Sequence, residues 1–372
     1  MSQLSIPKKI LFYAITLLIF GLTIEFLCFA IIKINPFSAF EWQYYDSAFK
    51  GVKPPNGALG WTSAYGDQPR PSDQTPGKPC AAAFGDSFTH SDEVQHNEAW
   101  AHLASNSIGC DINNYGVGGY GTDQAYLRYL EIQPKTPIVI VGVYPEMLRR
   151  NLAASWLFYA SRKEATLKPY FYLDGDELKQ EPYPSDMSVD TVKAYHSKDR
   201  YYQMYREKIE FPYTLSTIKI VCNRLTKSQA DSKSNVPQAI LHACDSLNGP
   251  RFYDVMLPPQ LVFNNTDATN LNSKILEKFR SSVIENQQHF VLVFFPSPEQ
   301  AIQQLYPYQQ YMDRYQLEHP KDCVIDTGPA LFQWAKNTND NLRATSGHFN
   351  VIGNRVIAKV VSEKLQTCGL LN

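Results

Sequence analysis

The run Pro137-Ile-Val-Ile-Val-Gly-Val143 is apolar at every position, with no alternation of polar and apolar side chains. A strand of that kind needs cover on both faces, which a parallel sheet clad by helices on either side supplies. Four other short runs fit as strands of the same sheet: Cys80 to Phe84, Cys110 to Tyr115, His289 to Phe295 with Pro296 and Pro298 closing it, and Cys323 to Asp326. Between them apolar residues return at helical spacing, as in Trp100, Leu103, Ala104 and Ile108, then Ala125, Tyr126, Leu127 and Leu130, then Ile275, Leu276, Phe279, Val283 and Ile284. Asn350 stands where it can cap a last helix whose stripe is Ile352, Val356, Ile357, Val360 and Leu365. Strand and helix in alternation predict a doubly wound α/β protein with a central parallel sheet of about five strands.

After the third strand the alternation breaks, and residues 144–270 are expected to form a large insertion over one end of the sheet. Inside it, Tyr170-Phe-Tyr-Leu173 and Glu177-Leu-Lys-Gln180 flank Asp174-Gly175-Asp176 and predict a β-hairpin. Residues 34–79 are rich in proline and are expected to be a tether lying over a surface, with Leu59-Gly60-Trp61 as its one sticky patch. Ahead of it, Ile10 to Ile32 is 23 residues with a single charge, Glu25. As a helix that run would be ~35 Å long, enough to cross a bilayer. It is longer than the roughly 7–15 residues of a cleavable signal's apolar core and reads Phe26-Leu27-Cys28-Phe29 near its end, so residues 1–33 are expected to stay as a cytoplasmic tip and transmembrane anchor. Lys8 and Lys9 precede the span, while Lys33, Glu41 and Asp46 follow it; the positive-inside rule then puts the N-terminus in the cytoplasm and the domain of residues 80–372 in the periplasm or outside the cell.

Composition narrows the partners. The 35 basic and 36 acidic residues leave a net charge of −1, and no basic cluster exceeds a pair, which argues against nucleic acid. Of the 7 cysteines, Cys28 lies in the span; the others are Cys80, Cys110, Cys222, Cys244, Cys323 and Cys368. An even number in an exported domain permits three disulfides, with about 15 connectivities open. None forms a Cys-x-x-Cys pair and no His/Cys spacing fits zinc, so no metal and no cofactor are expected.

The chemistry is expected where the first strand ends. Gly85-Asp86-Ser87-Phe88 leaves the carboxyl end of that strand, the place where open α/β sheets hold their sites. Glycine lets the backbone bend, Asp86 can hydrogen-bond the loop, and a serine hydroxyl held there is open to nucleophilic use when a base is near. A glycine-rich loop, Gly116-Val-Gly-Gly-Tyr-Gly121, follows the second strand, and His348 lies in Ser346-Gly-His348-Phe-Asn350 just before the last helix. That loop also satisfies Gly-x-Gly-x-x-Gly, the dinucleotide fingerprint, but it follows the second strand rather than the first and no acidic residue ends the next strand, so a dinucleotide is not expected. His90 and His96, close to Ser87 in sequence, read as surface histidines.

In this order along the chain, the three blocks resemble the SGNH/GDSL hydrolase family over about residues 80–152 and 271–366. The resemblance implies a three-layer α/β/α fold and a serine esterase. Ser87 matches the nucleophile and supplies one oxyanion N–H; Gly119, in Asn114-Tyr-Gly-Val-Gly-Gly119, matches the second donor; Asp86 and Asn114 are supporting residues, and His348 matches the general base. Because the first two strands are neighbours in that family, Cys80–Cys110 is the implied disulfide, with Cys222–Cys244 and Cys323–Cys368 expected as the remaining pairs.

Two positions depart from the family's pattern. The family usually carries Gly-x-Asn-Asp after the third strand, the Asn being a third oxyanion donor, whereas this chain reads Gly142-Val-Tyr-Pro-Glu146; Asn151 is the nearest candidate. The Asp usually found three residues before the histidine is Thr345 here, which leaves a backbone carbonyl, Asp326 or Asp340 to orient the imidazole. The implied activity is cleavage of O-acyl esters of a carbohydrate or lipid outside the cytoplasm. The same acyl-serine would also serve a polysaccharide O-acetyltransferase, as in anchored proteins similar to alginate-acetylating ones, with the insertion holding the acceptor. The two departures equally fit a non-catalytic carbohydrate-binding or scaffold protein that keeps the fold.

Overall fold

The computed structural model describes residues 6–34, 59–71, 77–154, 167–184, 191, 194–195, 211–230, 236–248 and 259–371. In chain order its elements are α1 (Ile6–Ile34), β1 (Pro79–Phe84), α2 (Ser87–His90), α3 (Trp100–Ile108), β2 (Asp111–Asn114), α4 (Thr122–Ile132), β3 (Ile138–Val143) and α5 (Pro145–Asn151). Then come β4 (Tyr170–Asp174), β5 (Glu177–Glu181), α6 (Tyr213–Ala230), α7 (Gln238–Asn248), α8 (Thr266–Glu285) and β6 (His289–Phe294). The chain closes with α9 (Pro298–Ile302), α10 (Gln309–Glu318), β7 (Cys323–Asp326), α11 (Gly328–Thr338) and α12 (Val351–Thr367).

These elements divide into two compact units, Met1–Val52 with Met204–Met256, and Lys53–Gln203 with Leu257–Asn372. These units are not bounded where the expected anchor of 1–33, tether of 34–79 and domain of 80–372 are. Part of the insertion at 144–270 joins the N-terminal helix rather than the sheet. In that first unit, α1 is exposed on every face through residue 23, and among the described residues it is the one helix long and apolar enough to cross a membrane. Its last turns carry a packed face. There Glu25 accepts hydrogen bonds from the amide of Tyr213 at 2.5 Å, the amide of Thr214 at 3.3 Å and the Thr214 hydroxyl. Phe29 sets its ring 5.0 Å from that of Tyr213. The Cys222–Cys244 disulfide ties α6 to α7.

The second unit holds the sheet, in the order β2-β1-β3-β6-β7, parallel throughout. β3 is buried at all of its positions, as its unbroken apolar run requires. α12 packs on α3 and α11, and α8 packs on α4, so the sheet is clad by helices as a three-layer α/β/α fold. The strand order runs outward from β1 in both directions, and the carboxyl ends of β1 and β3 therefore flank a topological switch point. Cys80–Cys110 joins β1 to the residue before β2, and Cys323–Cys368 joins β7 to the end of α12. The five expected strands are present, with no end displaced by more than one residue: β2, β3 and β6 are shorter than expected, β1 begins one residue earlier and β7 is as expected. The helix expected around Trp100, Leu103, Ala104 and Ile108 starts at Trp100, directly after His96–Glu98, which winds into a 3-10 turn closed by Glu98 on the Gln95 amide.

The tether reading of 34–79 fails where the structure describes that segment; residues 35–58 and 72–76 lie outside the described residues. Residues 59–71 are packed into the second unit. Leu59 is buried and its carbonyl accepts from the Gln124 side chain at 2.9 Å, while the buried Arg128 donates to the carbonyls of Gly66 at 2.7 Å and Tyr115 at 3.0 Å. The expected hairpin is present as β4–β5 around Gly175-Asp176. Just before it, the buried Lys168 pairs with the buried Asp123 of α4 and accepts a hydrogen bond from the Tyr195 hydroxyl on its carbonyl at 2.6 Å. Most of the segment between Thr191 and Tyr213 lies outside the described residues.

Candidate active site

The turn after β1 is built around side chains that cannot be exchanged freely. A Cβ on Gly85 would meet the Thr89 hydroxyl at 2.1 Å, so the chain has room there only for glycine. Asp86 caps α2, accepting from the Phe88 amide at 2.9 Å through one oxygen and from Arg150 of α5 at 2.8 Å through the other, with both side chains buried. Burial pushes the Asp86 carboxyl up, and Arg150 opposes that. A buried carboxylate held this way fixes the turn, and Ser87 opens α2 directly behind it.

Asn114, ending β2, links this turn to the glycine-rich loop. It donates to the Thr89 carbonyl at 2.7 Å and accepts from the Gly116 amide at 3.0 Å. A Cβ on Gly116 would lie 2.5 Å from the His90 nitrogen, and one on Gly118 would touch the Ser87 Cβ at 3.9 Å. The glycines thus serve the close approach of the loop to α2, which accounts for the spacing that mimics a dinucleotide fingerprint. Gly119 has φ +82° and is buried. Among the described residues, the amides of Ser87, Gly118 and Gly119 donate to no protein group. Buried backbone donors rarely go unpaired, and two from facing loops suit an oxygen that becomes negative during reaction.

His348 lies in a tight loop closed by the Ala344 amide on its carbonyl at 2.8 Å, just before Asn350 caps α12 with its side chain on the amides of Ile352 and Gly353. Its imidazole centre is 5.2 Å from that of Phe88, the residue after Ser87. Nδ1 is 2.9 Å from Glu93 Oε2, which leaves Nε2 without a hydrogen bond to any described residue. Glu93 also accepts from the amides of Ser346 at 2.6 Å and His348 at 3.2 Å. Burial works against its charge, but these donors outweigh it and hold the Glu93 carboxyl down at about 2. Glu93 has φ +71°, a left-handed conformation disfavoured for a residue with a Cβ and found where surrounding structure imposes it.

Glu93 thus stands at Nδ1, where a backbone carbonyl, Asp326 or Asp340 was expected. Asp326 instead accepts from the Tyr308 hydroxyl at 2.8 Å and the Gly328 amide at 2.9 Å, and Asp340 from Trp334 at 2.9 Å. Asn151 is likewise no oxyanion donor, being committed to Asn272 at 2.9 Å and to the Asp123 amide at 3.2 Å. At the end of β3 stands Tyr144, whose ring stacks on Phe88 with centroids 3.9 Å apart; burial pushes its phenol well up, so it stays protonated at neutral pH.

Residues 59–71 brace both loops. The Trp61 indole donates to the Gly118 carbonyl at 3.0 Å, and the Tyr120 hydroxyl donates back to the Trp61 carbonyl at 2.6 Å. Arg70 donates to the carbonyls of His90 at 2.7 Å, Ser91 at 2.9 Å and Val94 at 2.6 Å, which encloses Glu93 in a pinned turn. His90 is held by Asp92 at 2.6 Å, and His96 packs edge-on against Tyr65 at 5.7 Å.

No family model matches the chain, and no curated protein does. Among solved structures it is similar to a member of the lipolytic G-D-S-L family from Veillonella parvula DSM 2008, at 13% identity over 76% of this chain and 96% of that one, with a TM-score of 0.37. An alpha/beta hydrolase enzyme from the metagenome of Lake Arreo gives 11% identity over 80% and 98%, with a TM-score of 0.37. A G-D-S-L family protein of Desulfitobacterium hafniense DCB-2, described as lipolytic, gives 12% over 77% and 98%, with a TM-score of 0.36.

Proposed function

We propose that this chain is a serine esterase of SGNH/GDSL type, held at a membrane by α1 with its second unit outside the cytoplasm, and acting on O-acyl esters of a carbohydrate or lipid. The observation that carries the reading is the Glu93–His348 pair beside the Ser87 turn. With Nδ1 held by a carboxylate, the imidazole presents Nε2 as the proton acceptor. Ser87 Oγ attacks the acyl carbon while its proton passes to His348. The carbonyl oxygen, now negative, takes hydrogen bonds from the Ser87 and Gly119 amides. Collapse expels the alcohol, which leaves with the proton from His348, and water repeats the sequence to free the acid and Ser87. The test is turnover of 4-nitrophenyl acetate by the full chain in detergent, with fluorophosphonate labelling mapped by mass spectrometry. The label belongs on Ser87, and Ser87→Ala should remove both label and turnover; an unlabelled, inactive wild-type chain would leave the non-catalytic reading standing.

A second reading, polysaccharide O-acetyltransferase, is favoured by a groove of about 770 Å³ between the hairpin and α8, lined by Tyr170, Phe171, Tyr172, Lys274, Glu277 and Arg314. Tyr172, part-exposed beside the charged Lys274, Glu277 and Arg314, suits a sugar hydroxyl donor, and a positioned acceptor outcompetes water through effective molarity. Removing the β4–β5 hairpin separates the readings. A transferase loses acetyl transfer to an oligosaccharide more than ester hydrolysis, whereas an esterase loses neither selectively.

A further inference from the structure

The first unit carries an apolar face that neither the sheet nor the catalytic residues account for. Leu215, Ile218 and Val221 recur every third residue along α6 and are 39%, 43% and 49% exposed, and Phe211, two residues ahead of its first turn, is 70% exposed. A row of that kind on a soluble surface asks for a partner. Its position relative to α1 names one. The apolar span Ile6–Ile31 is 26 residues, ~39 Å as a helix against ~30 Å of hydrocarbon. Glu25 stands six residues before the end of that span, so it lies within ~10 Å of the hydrocarbon edge. Its carboxylate is spent on the first turn of α6, through the Tyr213 and Thr214 amides and the Thr214 hydroxyl. Those donors make a charge at that depth tolerable. They also fix where α6 begins, at the depth where interfacial helices bury an apolar face ~5–10 Å into the headgroup boundary. Beyond that first turn, the Cys222–Cys244 disulfide holds α7 against α6.

We propose that the α6–α7 hairpin is a membrane-interface element, its Phe211–Val221 row seated in the outer headgroup layer of the same bilayer that α1 crosses. The proposal rests on the reading of α1 as a membrane span. The hairpin would then set the anchor's depth and rotation, because Glu25 and Phe29 lock α1 to it.

The experiment reconstitutes the full chain in phosphatidylcholine/phosphatidylglycerol vesicles with the free Cys28 changed to Ser. One reporter cysteine at a time is labelled with an environment-sensitive fluorophore, at Leu17→Cys in the span, Ile218→Cys in the row, or Lys359→Cys on the exposed face of α12. Doxyl groups near the headgroup or deep in the acyl chain serve as quenchers. The expected result is blue-shifted emission at Ile218 with loss of intensity to the shallow quencher, deep quenching at Leu17 and no quenching at Lys359. Quenching at Leu17 with Ile218 matching Lys359 overturns the hairpin proposal while the span stands. No quenching at Leu17 overturns the span and the hairpin with it. A blue shift at Ile218 that neither quencher touches also overturns it, since the row would then be covered by protein. Unfolding of a labelled variant is detected from 4-nitrophenyl acetate turnover and from the intact Cys222–Cys244 bond.

Discussion

Glu93→Gln is the sharpest perturbation of the proposed site, because it keeps the shape of the side chain and removes only its charge. Three hydrogen bonds converge on this carboxylate, from the imidazole at 2.9 Å and from the amides of Ser346 and His348. A hydrogen bond to a charged group is worth ~1.5–3 kcal/mol, and the loss of the one on the imidazole corresponds to a fall of roughly ten- to 150-fold in rate. The Glu93 side chain is 19% exposed, and solvent softens the effect of its charge, so the expected loss is in the lower part of that range, about ten- to 50-fold in kcat with KM little changed. The assay is 4-nitrophenyl acetate hydrolysis across substrate concentration. A carboxylate restored three residues before His348, in the double variant Glu93→Gln with Thr345→Asp, should recover part of the rate, because a triad acid needs only to reach Nδ1 and not to come from a given loop. A Glu93→Gln variant within twofold of wild type, or a fall confined to KM, would refute the assignment of Glu93 as the residue that orients His348.

The same carboxylate gives an acid signature: its pKa falls from 4.5 to about 2 in the fold, so its stabilising bonds are complete above 4.5 and lost as pH falls through 2. Urea unfolding should therefore show a wild-type advantage over Glu93→Gln that shrinks between those values. Arg70→Met removes three donors from the turn around Glu93 and should lower kcat several-fold with the fold intact; Arg70→Lys should restore only part, since a point charge cannot replace the guanidinium fork. Trp61→Phe keeps the ring and loses the hydrogen bond to Gly118, and steady-state kinetics should show a smaller kcat defect of the same kind. Arg150→Met strands the buried Asp86 carboxylate and should cost ~3–5 kcal/mol in unfolding free energy, read by denaturant melts.

What the sequence made legible was governed by local pattern. β3 announces itself because burial on both faces forbids polar residues, and Asn350 is readable as a cap because capping is decided within a few residues. The serine turn and the histidine loop are likewise short-range. Glu93 was not legible, because its partner is 255 residues away and nothing in Asp92-Glu93-Val94 distinguishes a surface acid from one aimed at an imidazole. The only local sign is its left-handed backbone, which the sequence does not display. The packing of residues 59–71 was hidden for a related reason. Proline-rich, aperiodic sequence reads as a tether, yet Trp61 and Arg70 dock through hydrogen bonds to backbone carbonyls, which carry no side-chain signature at the receiving end.

In the proposed esterase the acid stands on the nucleophile's own loop, which changes what the site depends on. With an Asp before His348, base and acid would move together on one loop, and the serine turn would need only to meet them. Here Glu93 lies six residues after Ser87 and reaches across to the amides of Ser346 and His348 as well as to the ring, so a single carboxylate both orients the base and ties its loop to the nucleophile's. The turn that presents Glu93 is held by Arg70, and the facing glycine loop by Trp61, both from the segment before β1. Three loops and an N-terminal strap thus share one hydrogen-bonded frame around the proposed reacting serine. Such a frame keeps donors and base in place without reorganisation at the moment of reaction, which is the condition under which electrostatic stabilisation of an oxyanion is effective. On the proposed reading the departure at Thr345 is a relocation of the acid rather than its loss, and the strap that holds the turn of Glu93 is the part of the chain that sequence alone assigned to a passive link.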